Sequence, residues 1–161
     1  MTRFAALLLA ALAAAPVAAQ EAGAAQAESE TESETETEEP SLIRDGTDAT
    51  LEDFHWVARP VIVFANSPND PSFVDQMDSI RGRKQPLIDR DVVVLTDTDP
   101  AARSDLRQAL RPRGFMLAII AKDGSVIARK PLPWDVREIT RSIDKQPLRQ
   151  REVRDQSEDR G

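Results

Sequence analysis

The sequence predicts an α/β domain in which helices cover both faces of a four-stranded mixed sheet. Three observations predict it. Residues 60–65 and 92–95 are apolar almost throughout, as strands are when both faces are buried. Between and after them, apolar residues recur three and four apart, the helical period. Lys122-Asp123-Gly124-Ser125 is a tight-turn signal between two further strand-like runs.

The elements follow in order. Thr50 to Trp56 reads as a short helical lead-in, with Leu51 and Phe54 one turn apart and Thr50 and Asp53 spaced as a capping box. The first strand is 60–65. The first helix opens on Asp70 as cap and Pro71 at its first position, and turns Phe73, Met77 and Ile80 to one side. It weakens near Gly82 and stops by Pro86. The second strand is Val92-Val93-Val94-Leu95. A second helix starts at Asp99-Pro100 by the same cap logic, buries Ala102, Leu106 and Ala109 or Leu110, and ends before Pro112. Strand three is Phe115 to Ala121 and strand four Val126 to Arg129. The last helix runs from about Pro133 to Asp144, with Val136, Ile139 and Ile143 on one face.

This order is βαβαββα. Strands joined through a helix are parallel; strands joined by a tight turn are antiparallel. Crossover handedness leaves few assemblies. A sheet ordered 2-1-3-4 with helices on both sides is the thioredoxin-like one.

Residues 1–19 read as a secretory signal peptide: Arg3, an apolar Leu- and Ala-rich run, then Val17-Ala18-Ala19 before a cut at Gln20. The expected location is periplasmic or secreted, in a bacterium, with no stable membrane insertion after cleavage. Residues 20–44 read as a disordered acidic linker, since 20–40 hold eight glutamates and no Lys or Arg. The thioredoxin-like domain is expected over 45–147, and 148–161 as a disordered charged tail. The chain has 21 basic and 28 acidic residues; without Arg3 and the eight tail glutamates, 20 of each remain. The folded part is thus neutral. It shows no basic stripe with interleaved aromatics, which argues against nucleic acid.

The chain contains no cysteine. In a thioredoxin-type unit the turn after the first strand carries Cys-x-x-Cys; here it reads Ser67-Pro68-Asn69-Asp70. Thiol–disulfide exchange and cysteine peroxidase chemistry are excluded, because the thiolate is the nucleophile.

Several segments together resemble a bacterial domain-of-unknown-function family. They are Leu51-x-x-Phe54-x-Trp56-x-x-Arg59-Pro60, the run VVVLTDTDP from Val92 to Pro100, Arg113-Gly114-Phe115, and Pro133-Trp134. That family is similar to the DUDES-type domains of extracellular-matrix proteins, which are thioredoxin-like and distantly peroxiredoxin-like. The resemblance covers about 48–147. It implies the fold and an exported location, and it brings no reaction, cofactor or catalytic residue. Where working thioredoxins have a cis-proline before strand three, this chain has Gly114.

Four candidate sites remain. Asp97 and Asp99 follow the second strand and have the spacing of a Mg²⁺ or Ca²⁺ pair, although Asp99 also suits a helix cap and Asp97 a solvated strand end. His55, the one histidine, would give a hydrolase triad only if it met Ser67 and Asp70. Trp56 and Trp134 are either core residues or binding anchors. The sharpest candidate is an anion site. Arg111 and Arg113 approach the loop of Asn66, Ser67, Asn69 and Asp70, where the first helix offers its free N–H groups. The competing expectation is that Asp70 caps that helix and pairs with Arg113. The leading reading is a redox-inactive module, without cofactor, that binds an envelope protein or a small anionic ligand. The alternative is a non-thiol enzyme, hydrolase-like, using the cleft at the end of strand one.

Overall fold

The computed structural model describes residues 41–159. Five strands, β1 (Ile43–Asp45), β2 (Arg59–Phe64), β3 (Val92–Asp97), β4 (Met116–Ile120) and β5 (Val126–Lys130), form one sheet ordered β1-β3-β2-β4-β5. β1 and β2 both run parallel to β3; β4 runs antiparallel to β2, and β5 to β4. The helices are α1 (Pro71–Gly82), α2 (Gln85–Ile88), α3 (Asp105–Leu110), α4 (Val136–Asp144) and α5 (Pro147–Glu158).

The apolar runs are buried on both sides, as their composition requires. On one face Val61, Val63, Val94, Leu117 and Ile119 meet Met77, Ile80, Leu87, Val136, Ile139 and Ile143 from α1, α2 and α4. On the other, Ile62, Phe64, Leu95, Ala118 and Ile120 meet Leu106 and Leu110 from α3. The fold is α/β and thioredoxin-like in its central strands. The predicted four-stranded sheet of order 2-1-3-4 is corrected to five strands, with β1 added beyond β3. β1 is Ile-Arg-Asp, too short and too charged to carry a strand period. It docks because Gly46 follows it. The Gly46 N–H donates to the Thr96 carbonyl at 2.8 Å. A Cβ there would stand 3.1 Å from Leu106 Cδ1 and 3.2 Å from Leu95 Cβ, so a larger residue would have to push these neighbours back by a few tenths of an ångström.

Other boundaries move too. The linker expected over 20–44 overlaps β1 at its end, and its residues 20–40, like the signal peptide at 1–19, lie outside the described residues. The helix expected from Asp99 to Leu110 is broken. Asp99 caps only a single 3-10 turn, Pro100–Ala102, and Ala102 is exposed. Arg103 then turns left-handed at φ 50°, and Ser104 caps α3 by accepting from the Arg107 N–H. The lead-in is a 3-10 turn, Glu52–Phe54, with half its capping box made: the Thr50 N–H donates to Asp53 Oδ2 at 2.8 Å. α4 starts at Val136 under an Asp135 cap rather than at Pro133.

The tail expected to be disordered over 148–161 is α5 through Glu158. It has no apolar stripe. Its order comes from Glu152, which reaches the buried Arg59, and from Arg149, which donates to the Asp89 carbonyl.

One polar contact ties the β5–α4 connection to α1. Gln76, fully buried, accepts from the Trp134 N–H at 2.7 Å and donates to the Trp134 carbonyl at 2.9 Å. Truncating it orphans both backbone groups. Gln76→Ala is expected to cost about 2–3 kcal/mol, since each unsatisfied buried group costs roughly 1–3 kcal/mol. Urea denaturation checks this, and a loss under about 0.5 kcal/mol, the usual scale of surface substitutions, contradicts it.

Candidate functional site

The carboxyl end of β2 leads into residues 66–70, the position predicted for a site. Ser67 and Asp70 are committed within the loop, while the side chains of Asn66 and Asn69 are exposed. Asp70 Oδ1 accepts from the Ser72 N–H at 2.9 Å and the Phe73 N–H at 3.3 Å, and the Asp70 carbonyl takes the Val74 N–H. Ser67 accepts from the Asn69 N–H through its hydroxyl and from the Asp70 N–H through its carbonyl. Pro71 has no N–H to offer. The helix terminus that was to hold an anion is therefore filled by its own cap, as Asp-Pro at a helix start favours.

Beneath this loop lies a buried ion pair. Asp97, at the end of β3, accepts from Arg107 Nε at 2.8 Å, from the Ser104 hydroxyl, and from the Asp99 N–H at 3.2 Å. Arg107 Nη2 donates to the carbonyls of Ala65 and Asp97, and its guanidinium lies 5.5 Å from the centre of the Phe64 ring. Asp97 is 1% exposed, not the solvated strand end expected of it. A cation between Asp97 and Asp99 would have to displace this guanidinium, and Asp99 is itself occupied by the Ala101 N–H. The pair secures the ends of β2 and β3.

His55 stands away from Ser67 and Asp70. It stacks on Trp56, with ring centres 5.5 Å apart, and lies beside Gly124 in the β4–β5 turn. That turn is at the start of β2, whereas Ser67 follows its end. Six strand residues, about 20 Å, separate the two. The Ser67–His55–Asp70 triad is not assembled, and the hydrolase alternative loses its base. Trp56 is not a core residue either. It is 61% exposed at φ 61°, with its N–H donated to the Lys122 carbonyl. Trp134 is half-buried against the α1/α4 face.

Arg111 and Arg113 do arrive at the loop's end of the sheet, because Met116 of β4 pairs with Phe64 of β2. They turn, however, into a separate cavity of about 220 Å³, lined also by Phe115, Met116, Arg129, Lys130 and Pro131 and by none of Asn66, Ser67, Asn69 or Asp70. The connection that presents them is specialised: Arg111 closes α3 at φ 52° and Gly114 sits at φ 71°. Among the described residues no ion pair engages Arg111, Arg113, Arg129 or Lys130; Lys130 Nζ rests 4.4 Å from the Trp134 ring centre. The expected Asp70–Arg113 pair is not formed. Sequence reasoning missed Arg129 and Lys130. A β-strand's end reads as solvated surface until the sheet order puts it beside the α3–β4 connection.

The opposite end of the sheet is also rich in arginine, but its charges are matched. Arg59, 1% exposed, donates from Nη2 to both Glu152 oxygens at 2.6 and 2.7 Å and from Nη1 to the Arg90 carbonyl. Arg149 binds Glu152 and the Asp89 carbonyl; Arg90 grips Asp144 through two bonds of 2.8 Å. Burial works to raise the Glu152 pKa, but the hydrogen bonds from Arg59 and Arg149 and the charges of Arg59 and Lys122 hold it below the ordinary value. This cluster clamps α5.

No curated protein is a match. The chain is similar to a solved structure, the reduced 2-Cys peroxiredoxin of Plasmodium vivax, at 14% identity and a TM-score of 0.49, over 64% of this chain and 84% of that one. Residues 50–152 match the family described as a domain of unknown function (DUF4174), and the chain belongs to that family.

Proposed function

We propose that the domain is a redox-inactive binding module of an exported protein, and that it takes an anionic group in the cavity of Arg111, Arg113, Arg129 and Lys130. The likeness to DUDES-type domains and the periplasmic or secreted location belong to the same reading. One observation carries it: four cations line a single cavity, with no carboxylate among the lining residues and no ion pair drawing them away. Like charges held together without counterions repel, and a bound anion relieves that repulsion. Three of the four are arginines, whose forks suit carboxylate and phosphate oxygens. Phe115, Met116 and Pro131 give the cavity apolar walls beside the four cations.

The test is calorimetry with inorganic phosphate at low salt. Arg113→Ala is expected to weaken binding about tenfold, the scale of one charge-assisted hydrogen bond. Asn69→Ala, in the neighbouring loop, leaves the affinity unchanged. Equal affinity in Arg113→Ala and wild type overturns the reading.

A further inference from the structure

β5 is an edge of the sheet. It pairs with β4 on one side, and among the described residues no strand lies on its other side. Alongside it runs a second cavity of about 360 Å³, between β5 and α4. Ile127, Ala128 and Lys130 line it from the strand, Trp134 from the connection, Arg141 from α4 and Lys145 from its carboxyl cap. Lys130 lines both this groove and the rim cavity. The two are therefore one surface, which carries Arg111, Arg113, Arg129, Lys130, Arg141 and Lys145 against a single lining carboxylate, Glu138. Among the described residues Arg141 and Lys145, like the other four, have no ion-pair partner.

We infer that the open edge of β5 docks an extended acidic polypeptide segment, which adds to the sheet as a further strand and sets its carboxylates against these six cations. The inference rests on the rim cavity being an anion site and names its ligand class. Two features of the surface point to this occupant. Charge complementarity selects an acidic partner, and steers its approach. The strand edge offers backbone N–H and C=O groups in a row, which only another polypeptide backbone can use in register. The same Arg129 and Lys130 that repel a basic strand, and would lose hydration against a neutral one, attract an acidic one. Alternate residues of a strand face opposite ways, so one set of the added strand's side chains enters the groove, where Lys130, Arg141 and Lys145 stand beside the apolar Ile127, Ala128 and Trp134.

The experiment uses the full chain and a blocked nonapeptide of alternating Glu and Thr, with inorganic phosphate as reference. The peptide is expected to bind at least tenfold tighter than phosphate. The double variant Arg141→Ala/Lys145→Ala weakens the peptide at least fivefold and leaves phosphate unchanged. Two N-methylated peptides, blocked at alternate amides in opposite phase, separate strand addition from mere charge. One phase loses at least fivefold in affinity and the other keeps it, because backbone amides alternate sides along a strand. Hydrogen exchange at Val126–Lys130 slows when the peptide binds. Equal binding of both methylated peptides, or a double variant that binds the peptide normally, overturns the docked strand while phosphate still depends on Arg113. Indifference of both phosphate and peptide to Arg113→Ala overturns the cavity reading itself. Tighter binding to phosphatidylglycerol vesicles than to the peptide makes the partner a lipid surface and overturns the inference.

Discussion

Asp97→Ala is expected to melt about 10 °C or more below wild type. The substitution leaves Arg107, 9% exposed at its side chain, without the carboxylate it faces at 2.8 Å. Removing one partner of a buried pair costs about 3–5 kcal/mol, because the other charge stays buried and unmatched. In a domain of this size each kcal/mol moves Tm by roughly 4 °C. Ser104 also loses its acceptor, and the N–H of Asp99 loses its bond to Asp97. A control distinguishes the charge from the packing. Replacing the pair together, Asp97→Leu with Arg107→Leu, should recover part of the loss, since no charge is left stranded. Thermal unfolding followed by circular dichroism reads both. A shift under about 2 °C in Asp97→Ala, less than 1 kcal/mol, would show that the pair does not hold the strand ends.

The second large effect belongs to Glu152. Glu152→Ala leaves Arg59 almost wholly buried, with Asp91 at 3.7 Å as its nearest remaining carboxylate. A loss of about 3 kcal/mol follows by the same reasoning, and the helix content of residues 147–158 falls with it. The pH dependence has a definite sign. The folded pKa of Glu152 lies below its ordinary value of 4.5, so its stabilisation is complete above that value and is lost as pH falls through the lower folded value. The gap between wild type and Glu152→Gln should therefore be widest near neutral pH and narrow below about pH 4.5. A gap constant down to about pH 3 would mean that Glu152 is not ionised in the clamp.

Apolar burial made the centre of the fold legible. β2, β3 and β4 announce themselves because strands covered on both faces must be apolar at nearly every position, and Asp70-Pro71 fixes the start of α1 through local chemistry. Features that depend on one charge finding another across the fold left no such trace. β1 and α5 are too polar to show a period. The Asp97–Arg107 pair spans a 3-10 turn and a left-handed Arg103 that no helical spacing describes. Gln76 looks like any polar residue on a helix until Trp134 is placed above it. The two arginines of the α3–β4 connection were visible as a basic pair. Their partners Arg129 and Lys130 were not, because that neighbourhood exists only after the sheet is ordered.

The two edges of the sheet are treated differently, and β1 is the reason. β3 is apolar along most of its length, and without β1 its outer row of backbone groups would be a template for any passing chain. β1 covers it with three residues, two of them charged, and ends at Gly46 before a longer strand could form. It lies outside residues 50–152, the part by which the family is recognised. The self-sufficient unit is therefore longer than the matched segment. A chain begun at Thr50 would keep its core and expose a sticky seam, and its failing would be aggregation rather than unfolding. β1 thus reduces one edge of the sheet to three residues, and among the described residues β5, fenced by its cations, is the longer open edge.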